Sequence, residues 1–413
     1  MNKVYVTGVG AVTPLGNSIG ELWDGLVNGR CGIAPIAAPH SDALPIHVAA
    51  EVKGFSPEAY DIDKNTIRHN DMYALYALAA AQQAMSDSGL QVGTDVDPMR
   101  IGCTVSSGIG GINTFNNEHT KLLEEGVRRV SPLFIPMMIG NIASAHVAIK
   151  YNCQGPNLPV VTACATGTHS VGEAYRLIRE GRADAMICGG AESAICDIAL
   201  AGFNNMKALT NSEDPQAASI PFDARRKGFV MGEGAGILVL ESEECVRKRG
   251  ARIYAEVCGY GNTCDAYHYT APHPEGRNAA VAIRLAAEEA GFKSGEKMYI
   301  NAHGTSTPLN DASETMAIKK ALGEDVARRV EISSTKSMLG HMLGAAGAVE
   351  LIICALAIRN GILPPTIGYK EPDPVCDLDY IPNTARRSEV DITLSNTFGF
   401  GGHNASVALR RVR

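Results

Sequence analysis

Several features that mark other protein classes are missing from this chain of 413 residues. Lysine and arginine number 37 against 44 aspartates and glutamates, so no basic excess favours nucleic-acid binding. None of the eleven cysteines stands in a C-x-x-C pair, and their odd number argues against a disulfide framework. The chain opens on a strand pattern and not on a signal peptide, so we expect a reducing cytoplasm as its compartment.

No long apolar run is free of charge. The longest, Met342 to Ile358, carries Glu350 near its middle and is rich in glycine and alanine. We therefore expect a buried core helix and no membrane span. With 45% apolar residues, the chain can bury a large core in two domains or one fused pair.

A dinucleotide-binding glycine pattern is incomplete. Gly8 and Gly10 follow the opening strand, but the third glycine is missing and no clearly capped helix follows at once. We interpret both glycines as turn residues, which disfavours a nicotinamide-dependent oxidoreductase.

The chemistry that the sequence does contain is organised around Cys164. An apolar run with Val160 and Val161 leads into this cysteine, and residues 171–182 have helical spacing. Cys164 is therefore expected on a strand-to-helix turn, where free N–H groups and the helix dipole stabilise a thiolate and hold an oxyanion. A buried, unreactive cysteine is the commoner outcome for this residue type and is the alternative.

The order of elements in the first half returns after about residue 250. Residues 253–261 echo the opening strand with its glycines, and a strand and helix over 330–360 match those at Cys164. This repetition predicts two halves, 1–250 and 251–413, packed around a pseudo-twofold axis with one shared active site. Other strands are predicted at 101–107, 185–188, 298–303, 392–396 and 405–409, and helices at 73–88 and 279–290.

Two histidines stand just beyond predicted strands of the second half. His303 follows one strand, and His341 lies five residues after Lys336 beyond the next. If the halves pair, both imidazoles face Cys164. One thiol with two imidazoles suits acyl transfer in which a carbonyl oxygen gains charge. A lone histidine is more often an ordinary polar or core residue, but two at equivalent loop ends favour a site.

These stretches together resemble the β-ketoacyl acyl-carrier-protein synthases, the type II condensing enzymes of fatty acid synthesis. The matching segments are T-A-C at 162–164, N-A-H-G-T-S-T at 301–307, S-S-T-K-S at 333–337, G-H at 340–341, G-A-A-G-A-V-E at 344–350 and S-N-T-F-G-F-G-G at 395–402. The resemblance implies an α/β thiolase-like fold with a duplicated five-layer α-β-α-β-α architecture, and a homodimer. It also implies an acyltransferase that joins an enzyme-bound acyl group to malonyl-acyl carrier protein, with loss of carbon dioxide.

The resemblance implies roles for individual catalytic residues. Cys164 would accept the acyl group, with its own N–H and that of Phe400 as the oxyanion hole. His303 and His341 would polarise the malonyl thioester carbonyl, so that decarboxylation leaves a stabilised enolate. Lys336 matches a supporting charge of the family, or forms a plain buried ion pair with Glu350 that orders the loops.

Other positions match the family by residue type. Further support is implied at Glu350, Asp311 and Glu314, the last two by holding the His303 loop. Substrate contacts are implied at Thr270, Thr305, Thr307, Ile109, Phe203, Phe398 and Phe134, the last reaching across the dimer. Ile109, Phe203 and Phe400 match acyl-pocket and gate positions of the family, or are ordinary core residues. Contacts with the acidic carrier protein are implied at Lys64, Arg68, Arg128, Arg129 and Lys207. Some members bind a monovalent cation at positions matching Asn301, Glu350 and Ser395. No other metal is implied, and no cofactor, because phosphopantetheine is carried by the acyl carrier protein.

The chain departs from the family pattern at His403, where threonine is usual, and at residues 64–72, which are less basic than is typical. A polyketide-type ketosynthase of a secondary pathway shares every residue named and stays open. A thiolase would carry a second cysteine in the loop at 397–404, which has none. A type III synthase would pair its cysteine with histidine and asparagine, and a silent chain-length partner would lack Cys164.

Overall fold

The structure, a computed structural model, describes residues 2–37 and 44–412. The strands are β1 (Val4–Val12), β2 (Ala34–Pro35), β3 (Val48–Ala49), β4 (Ile101–Ser106), β5 (Ala185–Glu192), β6 (Gly234–Ser242), β7 (Ala255–Cys264), β8 (Met298–Asn301), β9 (Glu331–Ser333), β10 (Ile362–Leu363), β11 (Arg386–Arg387), β12 (Ile392–Gly399) and β13 (His403–Arg410). The helices are α1 (Ile19–Val27), α2 (Lys64–Arg68), α3 (Met72–Ser88), α4 (Ile112–Glu125), α5 (Phe134–Met138), α6 (Ile142–Tyr151), α7 (Thr166–Arg179), α8 (Asp197–Asn205), α9 (Pro215–Ala218), α10 (Glu243–Arg249), α11 (Arg277–Glu289), α12 (Pro308–Leu322), α13 (Glu324–Ala327), α14 (Lys336–Leu339) and α15 (Ala346–Asn360).

Nine strands form one hydrogen-bonded sheet in the order β4-β5-β6-β1-β7-β13-β12-β8-β9. In the first half, β4 and β5 are parallel, and β6 and β1 follow antiparallel. In the second half β8, β12, β13 and β7 have the same order and directions. The two halves join where Val4–Val6 of β1 lies opposite Ala255–Val257 of β7. The repeated order of elements is therefore present, while the boundary at residue 250, in the loop between α10 and β7, stays a prediction.

Helices cover both outer faces of the sheet and fill the space between its halves. On the outer face of the first half, α3 packs on β1 and β6. On the outer face of the second half, α11 packs on β7 and β13. Between them α7 and α15 lie side by side, and α15 contacts both β6 and β12. The layers therefore follow the α-β-α-β-α order that the resemblance implied.

The central helix α15 is buried on every side. All residues from Ala346 to Ile358 are buried, Glu350 among them. Among the described residues, the segment Leu343–Asn360 is the one helix long and apolar enough to cross a membrane, and 89% of it lies inside the protein. The prediction of a core helix is confirmed.

The interpretation of Gly8 and Gly10 as turn residues is wrong. Both lie inside β1, and α3 crosses this strand so closely that a Cβ on either glycine would collide with carbonyl oxygens of the helix. Gly259 and Gly261 of β7 make the same approach to α11. In each half, two glycines let an outer helix lie directly on the strand.

The strand predicted just before Cys164 does not form. Within the described chain, residues 158–162 follow the outer edge of β4, held by two side-chain hydrogen bonds to that strand and not by a strand ladder. Leu158 and Val161 are 76% and 62% exposed on this edge. The β-branched run therefore leaves an apolar edge uncovered in the single chain.

Candidate active site

Cys164 lies on a short 3-10 turn, Ala163–Ala165, at the start of α7. Ala163 has a φ of +51°, a left-handed conformation that residues with a side chain rarely adopt. The turn leaves the first N–H groups of the helix without intrahelical partners. The cysteine is buried and lines a cavity of about 280 Å³.

Burial raises the pKa of the Cys164 thiol to about 12. The charge of Lys336 and hydrogen bonds from the backbone N–H groups of Phe400 and of Cys164 itself lower the pKa, but burial outweighs them. In the substrate-free protein burial therefore favours the protonated thiol, while the backbone N–H groups act in the direction predicted for them and lower the pKa of Cys164. The two N–H groups expected in the oxyanion hole nevertheless converge on the sulfur.

The space beside this turn depends on Gly399. A Cβ at residue 399 would lie 2.6 Å from the carbonyl oxygen of Thr162 and 3.3 Å from the backbone nitrogen of Cys164. Any side chain there would crowd the Cys164 N–H. Glycine therefore keeps this donor open to a ligand.

His303 and His341 line the same cavity as Cys164. Their ring centres are 5.3 Å apart, with the planes at 85°. Burial and the charge of Lys336 hold the pKa of both imidazoles well below the ordinary value. Both nitrogens of His341 and Nδ1 of His303 have no hydrogen-bond partner among the described residues. Neutral rings with unpaired nitrogens can donate a hydrogen bond to an oxygen that gains charge.

Two carboxyl groups of α12 hold the loop that carries His303. Glu314 accepts the N–H of His303 at 2.9 Å and that of Gly304 at 2.8 Å. Asp311 accepts the N–H of Ser306, farther along the loop. Burial raises the pKa of Glu314 to about 7 and that of Asp311 above its usual value. The hydrogen bonds expected of both residues are therefore present.

Three buried oxygens lie without partners on α15, β8 and β12, which pack against one another. Lys336 contacts one oxygen of Glu350, and Oε2 of the same carboxyl has no hydrogen-bond partner among the described residues. Oδ1 of Asn301 and Oγ of Ser395 are likewise unpartnered, and these residues lie opposite each other on β8 and β12. Unpaired buried oxygens of this kind fit the monovalent cation that the resemblance implied, with these three residues as its ligands.

The cavity collects most of the predicted substrate contacts, namely Thr270, Thr305, Thr307, Phe203, Phe398 and Phe400. The hydroxyls of Thr305 and Thr307 are 2.9 Å apart. Ile109 and Phe134 do not line it. Ile109 lies 40% exposed on the loop after β4, and Phe134 begins α5 and packs against Phe115.

Of the five basic residues predicted to contact a carrier protein, Lys207 lines the cavity. The other four lie elsewhere on the surface, Lys64 and Arg68 in α2 and Arg128 and Arg129 in the turn after α4. The single chain therefore brings one predicted docking cation to the mouth of the site.

His403, where the chain departs from the family pattern, begins β13, and its ring lies 6.4 Å from that of His169 on α7. His169 is bonded through Nδ1 to the hydroxyl of Tyr260 at 2.6 Å. Burial, with the charges of His403 and Arg176, lowers the pKa of His169 to about 4. The departure therefore places a second imidazole against the back of the nucleophile helix.

Sequence reasoning misses two buried acids, one that lines the cavity and one outside its lining. Asp265 lines the cavity and accepts the N–H of His273 at 2.9 Å and the side-chain amide of Asn404 at 2.8 Å. Glu192 ends β5 and is fully buried. A signal was present in the second case, because Glu192 lies two residues beyond an apolar strand pattern that ends in two glycines. Charged residues at strand ends are usually solvated, so the sequence alone does not predict that Glu192 is buried.

Comparisons with known proteins agree over the whole chain. Residues 1–245 match the family model of the β-ketoacyl synthase N-terminal domain, and residues 254–370 that of the C-terminal domain. A 3-oxoacyl-(acyl-carrier-protein) synthase 2 of Synechocystis is 47% identical over 99% of this chain and 98% of its own. The enzyme of the same name from Staphylococcus aureus is 46% identical over the same shares.

Solved structures also resemble this chain over its full length. A type II polyketide ketosynthase, in complex with its acyl carrier protein and bound to a hexaketide, superposes with a TM-score of 0.91 at 34% identity, covering 100% of both chains. The cysteine and both histidines share one cavity of this fold, and family models match both halves of the sequence. The chain is therefore a member of the β-ketoacyl synthase family.

Proposed function

We propose that this protein is a 3-oxoacyl-acyl-carrier-protein synthase of the second type, a decarboxylating condensing enzyme of fatty acid elongation. One observation carries the proposal: the Cys164 thiol, two N–H groups directed at its sulfur and the neutral imidazoles of His303 and His341 converge in one cavity. The products are 3-oxoacyl-acyl carrier protein, carbon dioxide and free carrier protein.

The first step transfers an acyl group to Cys164. The sulfur attacks the carbonyl carbon of an acyl thioester, a new carbon–sulfur bond forms, and the bond to the pantetheine sulfur breaks. The thiol proton ends on the departing pantetheine sulfur. The N–H groups of Cys164 and Phe400 stabilise the negative oxygen of the tetrahedral intermediate. Because the resting thiol is protonated, acylation requires loss of this proton as the substrate arrives.

The second and third steps use the imidazole pair. His303 and His341 donate hydrogen bonds to the thioester oxygen of the malonyl group, and the electron pair of the breaking carbon–carbon bond becomes an enolate as carbon dioxide leaves. The enolate carbon attacks the carbonyl of acyl-Cys164. A carbon–carbon bond forms, the carbon–sulfur bond breaks, and the cysteine sulfur takes up a proton. Neutral rings suit this role because they donate a hydrogen bond without protonating the enolate.

The partner that delivers both substrates is an acyl carrier protein. Thr305 and Thr307 at the cavity wall offer hydroxyls to its phosphopantetheine arm, and Lys207 at the mouth offers a positive charge to an acidic carrier. A solved relative in complex with its acyl carrier protein supports this assignment.

A homodimer in the cytoplasm is the expected form of the enzyme. Leu158 and Val161 are exposed along the outer edge of β4, and Ile149 is 77% exposed on the adjacent α6. Exposed apolar side chains in one region favour burial against a second copy. Ile109 and Phe134 lie on this side, which would bring them toward the partner's site. All eleven cysteines are free thiols, which suits a reducing compartment. Sedimentation velocity measures the oligomeric state directly.

A polyketide-type ketosynthase is the second candidate, supported by the structural likeness at 34% identity. Relatives at 46–47% identity that are named 3-oxoacyl synthases favour fatty acid elongation. The test uses purified protein, malonyl-carrier protein and a ladder of saturated acyl-carrier proteins, with products read by mass spectrometry. One two-carbon extension of the saturated chains is expected. Repeated extension of an unreduced 3-oxo product would favour the polyketide reading.

A further inference from the structure

The turn that carries the nucleophile has a twin in the second half. The 3-10 turn Leu343–Ala345 precedes α15 as the turn of Cys164 precedes α7. Leu343 has a φ of +47°, close to the +51° of Ala163. Gly344 therefore stands in the second half where Cys164 stands in the first, with its N–H at a helix start.

The strands that end beside these two turns also correspond. β5 ends at Glu192 and β12 ends at Gly399, and each strand of eight residues lies beside a parallel partner in the same register. Gly399 leaves the N–H of Cys164 open. At the twin position Oε2 of Glu192 accepts the N–H of Gly344 at 3.0 Å. One half thus keeps its anion-binding turn free, and the other half fills the same turn with its own carboxylate.

The same carboxylate holds the loop after β4. Oε1 accepts the hydroxyl of Ser107 at 2.6 Å and the N–H of Ile109 at 3.2 Å. Oε2 accepts the N–H of Gly108 at 2.9 Å. With Gly344, four donors face two oxygens. Burial raises the pKa of Glu192, and these four hydrogen bonds act against that rise because they stabilise the carboxylate, which can accept from all of them. Glu192 therefore ties the loop of Ile109 to the start of the central helix.

We propose that Glu192 is a positioning residue that fixes the loop of Ile109 against the start of α15 by occupying the twin anion site at Gly344. The proposal rests on the proposed function, because the position of this loop can affect selectivity only in an enzyme that takes acyl substrates. A glutamine cannot replace the carboxylate, since its NH₂ group would meet two donors in place of one oxygen. Loss of this anchor frees the loop, and the discrimination between long and short acyl chains weakens.

The first experiment compares hexanoyl- and palmitoyl-carrier protein as substrates. In Glu192→Gln, the ratio of the two kcat/KM values should change at least about tenfold, the factor set by one lost buried hydrogen bond. Glu233→Gln is the matched control, because Glu233 is also buried and accepts from Val52, Ser193 and Tyr76, not from the Ile109 loop. The control should keep the parent ratio. A parent ratio in Glu192→Gln as well would overturn the proposal.

The second experiment asks whether an anion is what the twin site requires. Glu192→Gly leaves room for a small carboxylate, and added acetate should restore the parent ratio in a saturable way. Acetamide has nearly the same size and only one acceptor oxygen, and it should not. Equal rescue by acetamide, or no effect of acetate while Glu192→Gln is altered, would overturn the anion-site assignment.

A third readout follows Cys164 itself. Burial raises the pKa of this thiol, and the negative charge of Glu192 raises it further. Alkylation by iodoacetamide should therefore shift to lower pH in Glu192→Gln and stay unchanged in Glu233→Gln. An unshifted profile would contradict the effect of the Glu192 charge on the Cys164 thiol. If the parent protein forms no 3-oxoacyl product, the proposed function fails; if it elongates acyl chains and the variants match it, only the role of Glu192 fails.

Discussion

The imidazole rings of His303 and His341 face each other at 5.3 Å, almost at right angles, and come from two different loops of the second half. His303 follows β8, and His341 follows α14. Each ring reaches the cavity of Cys164, which belongs to the first half. The acyl acceptor and the imidazole pair therefore come from different halves of the chain, and mutations should separate acylation from decarboxylation.

Cys164→Ala removes the acyl acceptor and leaves both imidazoles in place. This variant should not condense but should still release carbon dioxide from malonyl-carrier protein, with a rate that is flat across pH 6.5, where an ordinary histidine titrates. His303→Ala or His341→Ala should accept an acyl group, while decarboxylation falls by about two to four orders of magnitude. Intact-mass measurement of the enzyme follows acylation, and trapping of carbon dioxide follows decarboxylation. Decarboxylation at the parent rate in both histidine variants would contradict the mechanism.

Phe400 lines the cavity and packs near Phe203, with ring centres 6.3 Å apart. Its neighbours Gly401 and Gly402 both have positive φ values, +86° and +76°, which a glycine-rich loop adopts without strain. Phe400→Ala should slow acylation of Cys164 by about tenfold through a misplaced gate and oxyanion donor. Stopped-flow kinetics measures the acylation rate and thermal unfolding measures the stability, and the variant should lose more of the first than of the second. Unchanged acylation would show that the ring is no gate.

Ile109 stands on a loop fixed by hydrogen bonds, and its β-branched side chain is stiff. Ile109→Phe should reduce kcat/KM for long acyl-carrier proteins by about tenfold or more and spare the short ones, because the resemblance implies an acyl contact at this position and a larger side chain would leave less room for a long chain. A chain-length series measures this. Equal loss at all lengths would indicate misfolding instead.

Glu314 should link stability to pH. Burial raises its pKa from 4.5 to about 7, so between these values the folded protein keeps a proton that the unfolded chain has released. Stability from this group is complete below pH 4.5 and is lost as pH rises to about 7, by about 3 kcal/mol. Glu314→Gln should flatten this part of the unfolding curve, whereas the exposed Glu180→Gln should not. Parallel curves for Glu314→Gln and the parent would refute the raised pKa.

A monovalent cation should stabilise the fold through Asn301, Glu350 and Ser395. Potassium chloride at ten times its dissociation constant should add about 1.4 kcal/mol to the free energy of unfolding relative to choline chloride, whose cation is too large for the site. Ser395→Ala removes one unpaired oxygen and should weaken this difference. The same melting temperature in both salts would contradict the binding of a monovalent cation by these three residues.

The sequence predicts the order of elements and the meeting of Cys164 with both histidines, because each lies where a local pattern changes. The prediction fails where the local structure depends on contacts with residues that are far away in the chain. The run at Val160 reads as a strand, yet its ladder partner is not supplied by the described chain. Gly8 reads as a turn residue because the helix that presses on it lies more than sixty residues later. Glu192 meets Gly344 from the other half, and no local pattern announces that contact.

The complete burial of α15 has a consequence for synthesis of the protein. This helix contacts β12 and β13, which the ribosome makes after it. Until those strands arrive, α15 has β5, β6 and α7 to pack against, but the face that β12 and β13 cover stays open, and the segment has the composition of a membrane span. Nascent chains that stall before residue 392 should therefore bind to chaperones or to membranes. Full-length chains bury α15 and should bind to neither.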